Sequence, residues 1–252
     1  MMHLFDSHAH LQHEQFRKDR KRVIERALDA GVSIILNVGY DLESSGGAIK
    51  LAEQHEFMYA SVGIHPHDSQ DLDEAALNAL EDMTSHEKVV AIGEIGLDYY
   101  RDLSPREAQR NAFERQLELA SSVDLPVVVH VREAHGDAVE ILKRWGGGDG
   151  VMHCFSGSTE EANTLLGLGF KLGLGGSITF GSKRLETIAL RAAGEDILVE
   201  TDCPYLAPRP RRGRNEPAFL GIVCEKIASI RGQYPEDVAR VTMSNAKSLF
   251  RL

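Results

Sequence analysis

Five apolar runs in this sequence each lead into a residue type that binds metals. Leu4-Phe5-Asp6 runs into His8 and His10, Val89 to Gly93 into Glu94, and Val127 to Val129 into His130. Val151-Met152 precedes His153, and Ile197 to Val199 precedes Asp202. One His-x-His carries little weight, because alternate residues on any extended segment point the same way. Five runs that all finish in His, Glu or Asp are hard to attribute to packing. Imidazole and carboxylate together suit zinc, manganese or iron, and magnesium where carboxylate and water dominate. Six such ligands exceed what one catalytic ion with an open position needs. They fit two divalent ions (Mg²⁺, Mn²⁺ or Zn²⁺), with a bridging carboxylate holding the pair roughly 3.5–4 Å apart.

The elements that must position these residues alternate along the whole chain. Arg17 to Ala30 carries Val23, Ile24, Ala27 and Leu28 at helical spacing and stops at Gly31. Strand-like runs follow at Ser33–Val38, Phe57–Ile64, Lys88–Gly93, Pro126–Val131, Val151-Met152, Phe170–Leu174 and Ile197–Thr201. Helices are expected between them at Leu42–His55, Asp73–Met83, Ser104 to about Val123, up to Trp145, after Ser158 and from about Ser182. Ser104 with Pro105 and Glu107 predicts a capped helix start, and Ser158 with Glu161 predicts a capping box. Glu216–Ile230 and Pro235–Leu252 are the closing helices. Eight strand–helix alternations without a long linker predict an α/β fold, a (β/α)₈ TIM barrel forming a single domain over residues 1–252. In such a barrel the C-terminal strand ends share one mouth, which would gather the five runs. The Gly146-Gly147-Gly148 run has no GKS or GxGxxG context and reads as a loop.

The net charge is −10 from 28 basic and 38 acidic residues. That argues against a broad duplex-binding face but leaves room for a local phosphate site. No apolar stretch approaches a membrane helix, and the N-terminus has no signal-peptide pattern. Cys154, Cys203 and Cys224 lack CxxC spacing and read as reduced thiols of a cytoplasmic protein; a monomer is expected.

Several longer motifs resemble the TatD family of metal-dependent hydrolases, within the amidohydrolase-like barrels. They are Asp6-Ser7-His8-Ala9-His10-Leu11, Gly63-Ile64-His65-Pro66-His67, Gly93-Glu94-Ile95-Gly96-Leu97-Asp98-Tyr99-Tyr100, His130 and His153-Cys154-Phe155-Ser156-Gly157. Glu200-Thr201-Asp202-Cys203-Pro204-Tyr205-Leu206 and Arg214-Asn215-Glu216-Pro217 extend the likeness to the end of the chain. Val131 and Cys203 stand where many members have a small polar residue and a serine; neither is a ligand. The resemblance implies that His8, His10 and Asp202 hold one metal, His130 and His153 the other, and that Glu94 bridges them. Metal coordination brings the pKa of bound water to about 7. Asp202 is placed to take its proton, which makes Asp202 and Glu94 the expected catalytic pair.

Further residues are expected around this core. His65 is a candidate donor to a substrate phosphoryl oxygen, and His67 faces the same mouth. Glu200 lies two residues before Asp202 on the same side of its strand, suited to bracing a ligand histidine. Asp98 and Arg132 either pair with each other or meet substrate. The segment Arg209-Pro210-Arg211-Arg212-Gly213-Arg214 leaves the active-site end, so Arg212 and Arg214 are expected on phosphates, with Asn215 and Glu216 fixing the loop or reading a sugar. The mixed charges of Arg17 to Arg22 read as solvated.

The family likeness implies a deoxyribonuclease that trims single-stranded or end-frayed DNA from the 3′ end. A metal-dependent esterase acting on D-aminoacyl-tRNA, or another small-substrate amidohydrolase, is the alternative. Glu94 standing where amidohydrolases carry a carbamylated lysine weighs against the amide branch. A non-catalytic binding barrel would have little use for every ligand together with a base.

Overall fold

Each strand of the chain pairs in parallel with the next, and the last returns to the first. The computed structural model describes residues 2–252. Its strands are β1 (Leu4–Ala9), β2 (Val32–Val38), β3 (Met58–Val62), β4 (Val89–Asp98), β5 (Val127–Arg132), β6 (Gly150–Met152), β7 (Phe170–Leu174) and β8 (Ile197–Val199). At the seam, the Asp202 N–H donates to the His8 carbonyl at 2.8 Å and the His10 N–H to the Cys203 carbonyl at 2.9 Å. The sheet is thus a nearly closed eight-stranded TIM barrel.

Helices α1 (Arg20–Asp29), α2 (Leu42–Gln54), α3 (Glu74–Thr84), α4 (Arg106–Ser122), α5 (His135–Trp145), α6 (Thr159–Gly167) and α7 (Lys183–Arg191) fall between strands. α8 (Leu220–Arg231) and α9 (Pro235–Phe250) follow β8.

Strands covered on both faces read as near-continuous apolar runs. Their residues separate into two packed sets. Leu4, Ile35, Ile92, Val127, Val129, Met152, Ile197 and Val199 pack with the helices. Phe5, Leu36, Val38, Val90, Val128, Val151 and Leu198 fill the barrel interior with Ala246, Leu249 and Phe250 of α9. The Phe5 and Phe250 rings lie 5.9 Å apart, so α9 plugs the N-terminal end of the barrel. Chemistry is left to the other end.

Several boundaries differ from the sequence expectation. β4 runs on to Asp98 rather than stopping at Gly93, with all ten residues buried. α1 starts at Arg20, after a 3₁₀ turn at Glu14–Phe16, and α8 starts after a 3₁₀ turn at Pro217–Phe219. The Ser158–Glu161 capping box is formed. The cap expected of Ser104 is not: Pro105 takes the N-cap position, and the Ser104 hydroxyl instead donates to the His67 carbonyl at 2.6 Å. That bond ties the β4–α4 loop to the β3–α3 loop across the mouth.

Candidate metal centre

Strand alternation aims the side chains. Val128, Val151 and Leu198 point inward, so His130, His153 and Glu200, two residues further on, point inward above them. β1 and β4 need a correction to this rhythm. Register shifts lie between Asp6 and Ala9 and between Ile92 and Ile95, and His8 and Glu94 fall inside them. Bulges of this kind re-aim side chains near active sites. Gly96, at φ 137°, lets β4 lie so close to β5 that a Cβ there would collide with the His130 carbonyl.

Glu94 lies buried at the centre, and its two oxygens face different partners. Oε2 is 3.5 Å from His8 Nε2 and 3.6 Å from His10 Nε2. Oε1 is 3.0 Å from His130 Nδ1, 3.1 Å from His153 Nε2 and 3.4 Å from His65 Nε2. Asp202 Oδ1 is 3.6 Å from His10 Nε2 and 4.0 Å from His8 Nε2. Three overlapping sets of ligand atoms therefore converge: His8, His10, Asp202; His8, Glu94, His153; and His65, Glu94, His130. Four ligands held around zinc at about 2.0–2.1 Å stand about 3.3–3.4 Å from one another in a tetrahedron. The observed spacings bracket that edge, so the side chains fit divalent metals.

Electrostatics point the same way. Burial raises the pKa of the Glu94 carboxyl, but His153, His65 and His130 outweigh it and hold the group well below the ordinary carboxylate range. Burial lowers the His153 pKa, yet Glu94 and Glu200 raise it well above that of a free imidazole. The buried carboxylates demand compensating charge. A divalent cation supplies it while leaving the imidazoles neutral and able to ligate.

Outer contacts orient the ring nitrogens. His10 Nδ1 lies 2.8 Å from the Val38 carbonyl, so it carries the proton and Nε2 offers its lone pair inward. His153 Nδ1 is 3.4 Å from Glu200 Oε1, which also accepts the Cys154 N–H. His65 Nδ1 accepts the His67 N–H at 3.2 Å. Burial lowers its pKa to about 4, so the neutral ring carries its proton on Nε2 and acts there as a donor. His67 Nε2 lies 2.9 Å from Asp98 Oδ2, which is also 3.4 Å from His130 Nε2. Asp98 Oδ1 accepts the Tyr100 and Arg101 N–H groups. Asp98 thus braces the histidines, and Arg132 instead stacks over Tyr100, its guanidinium carbon 3.8 Å from the ring centre.

Not every expected residue reaches the mouth. Arg212 is exposed on its loop. Arg214 is engaged within the protein: its guanidinium bonds Asp19 at 2.7 and 2.8 Å, Glu216 Oε1 at 2.9 Å and the Gln15 carbonyl at 2.7 Å. Glu216 also receives Arg26 in a bidentate pair, so this cluster clamps the β8–α8 loop onto α1. The Asn215 side chain donates to the Thr201 carbonyl and fixes the loop. Burial raises the Cys154 thiol pKa to about 12 and that of Cys203 well above the usual thiol range, so neither offers a thiolate nucleophile at neutral pH. One residue given no role by sequence reasoning is Asp6. Fully buried, it accepts the Thr201 N–H and hydroxyl and so sets Asp202 beside His8. Its position in the Asp-Ser-His-Ala-His motif was the available signal.

Comparison with known proteins points to one family. The family model described as TatD related DNase matches residues 5–251. The chain is 43% identical to the uncharacterized metal-dependent hydrolase YabD of Bacillus subtilis, covering 99% of both chains. It is 38% identical to the 3′-5′ ssDNA/RNA exonuclease TatD of Escherichia coli K12, covering 98% of both. The crystal structure of the E. coli TatD homologue YJJV superposes with a TM-score of 0.92 at 31% identity, covering 99% of this chain and 98% of that one.

Proposed function

The chain belongs to the TatD-related DNase family of metal-dependent hydrolases, and from that premise we propose that it is a 3′–5′ exonuclease trimming single-stranded or frayed DNA ends. The observation that carries the reading is the division of Glu94: one carboxylate, two oxygens, two sets of ligands. In it, His8, His10 and Asp202 would hold one divalent ion and His130 and His153 a second, with Glu94 shared between them. When bound, such ions would supply an activated water near neutral pH and compensate charge on the phosphoryl oxygens.

The chain's own groups do the rest. Asp202 turns Oδ1 towards His8 and His10, leaving Oδ2 to take a proton from the attacking water. His65 Nε2–H donates to a phosphoryl oxygen. Arg132 and Arg212, both exposed, meet backbone phosphates. The E. coli relative, a 3′-5′ ssDNA/RNA exonuclease, supports the substrate class. The net charge of −10 suits an enzyme that engages few phosphates.

The test compares the protein with its Asp202→Asn variant on a 5′-labelled single-stranded oligonucleotide, with Mg²⁺, Mn²⁺ or Zn²⁺. Stepwise shortening from the 3′ end, lost in the variant, is expected. An intact oligonucleotide despite verified metal loading would overturn the nuclease reading.

A further inference from the structure

Beside the metal centre a separate cavity of about 360 Å³ opens between the β5–α5 and β6–α6 loops. Its size is at the small end of ligand sites, roughly 300–1,000 Å³. Arg132 reaches it from β5, two residues beyond His130 on the same face, so its root stands about 7 Å further out along the strand. Arg184 reaches it from the first turn of α7. Both are exposed, and neither enters an ion pair among the described residues. Stacking on Tyr100 holds the Arg132 guanidinium in place without neutralising it.

Ser158 adds a neutral donor to the lining. The Ser158 oxygen accepts the Glu161 N–H at 3.1 Å, so its hydroxyl proton is free to donate outward. Glu161 is itself committed, accepting the Ser158 N–H at 2.7 Å. Glu133 is exposed and is the one carboxylate of the lining without a hydrogen bond or ion pair among the described residues, set against two guanidinium groups. His135 packs against Gly157, where an added Cβ would lie 3.0 Å from its ring and 2.7 Å from Phe155. The floor is therefore close-packed and the cavity preformed.

Resting on the exonuclease reading, we propose that this cavity is a subsite for the phosphodiester next to the one that is cut, on the retained 5′ side, with Arg132 and Arg184 as its guanidinium donors. An enzyme acting at a 3′ end has a single nucleoside, and no further phosphodiester, beyond the scissile bond. A second phosphodiester contact must lie on the retained strand. The consequence is a length threshold. A dinucleotide has one phosphodiester and cannot fill the subsite; a trinucleotide has two and can.

The experiment measures kcat/KM on dTpT and dTpTpT for the wild type, Arg184→Ala and Arg184→Lys, each loaded with the same metal. One charge-assisted contact is worth about tenfold or more. With two such contacts the wild type is expected to prefer the trinucleotide by about a hundredfold. Arg184→Ala should cut that preference about tenfold, and Arg184→Lys should restore much of it. The slope of log kcat/KM against log salt on the trinucleotide should become shallower by about 0.7 in Arg184→Ala, as loss of one single-strand phosphate contact requires. A purely structural role for Arg184 would leave that slope alone. No preference in the wild type, or one that Arg184→Ala leaves unchanged, overturns the subsite while cleavage of dTpT upholds the nuclease reading. Cleavage of neither substrate sinks both.

Discussion

Replacing Arg214 by alanine should cost stability rather than substrate affinity. The side chain makes three bonds to carboxylate oxygens and one to a carbonyl, and joins positions 195 residues apart in the chain. A bond to a charged group contributes roughly 1.5–3 kcal/mol when sheltered. The Asp19 side chain is 33% exposed, so its pair with Arg214 is discounted to about 1 kcal/mol. Glu216, 12% exposed, keeps the fuller value. Arg26 remains to serve both acids after the substitution. The net loss is about 3 kcal/mol, or roughly 6–12 °C in Tm for a chain of this size. Thermal unfolding followed by circular dichroism at fixed metal concentration measures it, alongside KM on an oligonucleotide. Arg212→Ala is the comparison: its Tm should move by no more than about 2 °C while KM rises. An Arg214→Ala protein that melts within 2 °C of wild type, with KM raised, would refute the clamp and return Arg214 to the substrate.

Other outcomes follow from the same contacts. Glu200→Gln should weaken metal binding about 10–100-fold by loosening His153, with activity recovered at high metal, as a metal titration would read. Gly96→Ala should lower Tm and activity together, since the β4–β5 spacing must open to admit the methyl group; equal melting curves would contradict it. The acid limb of stability should depend on Glu216. Burial raises its pKa, but Arg26 and Arg214 outweigh that and hold it below the usual value. A depressed carboxyl stabilises the fold above its unfolded pKa of about 4.3 and loses that contribution as pH falls through the folded value. The Tm gap between wild type and Glu216→Gln should therefore be full at pH 6–7 and narrow below about pH 4.

What was legible in the sequence was whatever depends on local pattern. Barrel strands announce themselves as apolar runs, and His130, His153 and Glu200 inherit their direction from Val128, Val151 and Leu198 by simple alternation. The unread part depends on neighbours far away in the chain. The bulge that carries β4 on to Asp98 has no local signature. Ser104, next to Pro105, has the residues of a cap, but its hydroxyl finds the His67 carbonyl instead. Arg214 looks like a phosphate ligand until Asp19 is placed beside it. Asp98 and Arg132 look like a pair until His67 claims one and Tyr100 the other.

The seam between β1 and β8 has a consequence for when the enzyme can act. His8 and His10 are near the start of the chain, and Asp202 comes from its last fifth. An ion held by all three, as proposed, would be a cross-link closing a loop of nearly two hundred residues, which as a free chain would cost roughly 5 kcal/mol of entropy to close. A growing polypeptide exposes its histidines early, yet cannot assemble the centre until the eighth strand has been made and docked against the first. Chains that stop before Asp202 would carry most of the proposed ligands without the complete site, so hydrolytic power would arrive only with the final closure of the barrel.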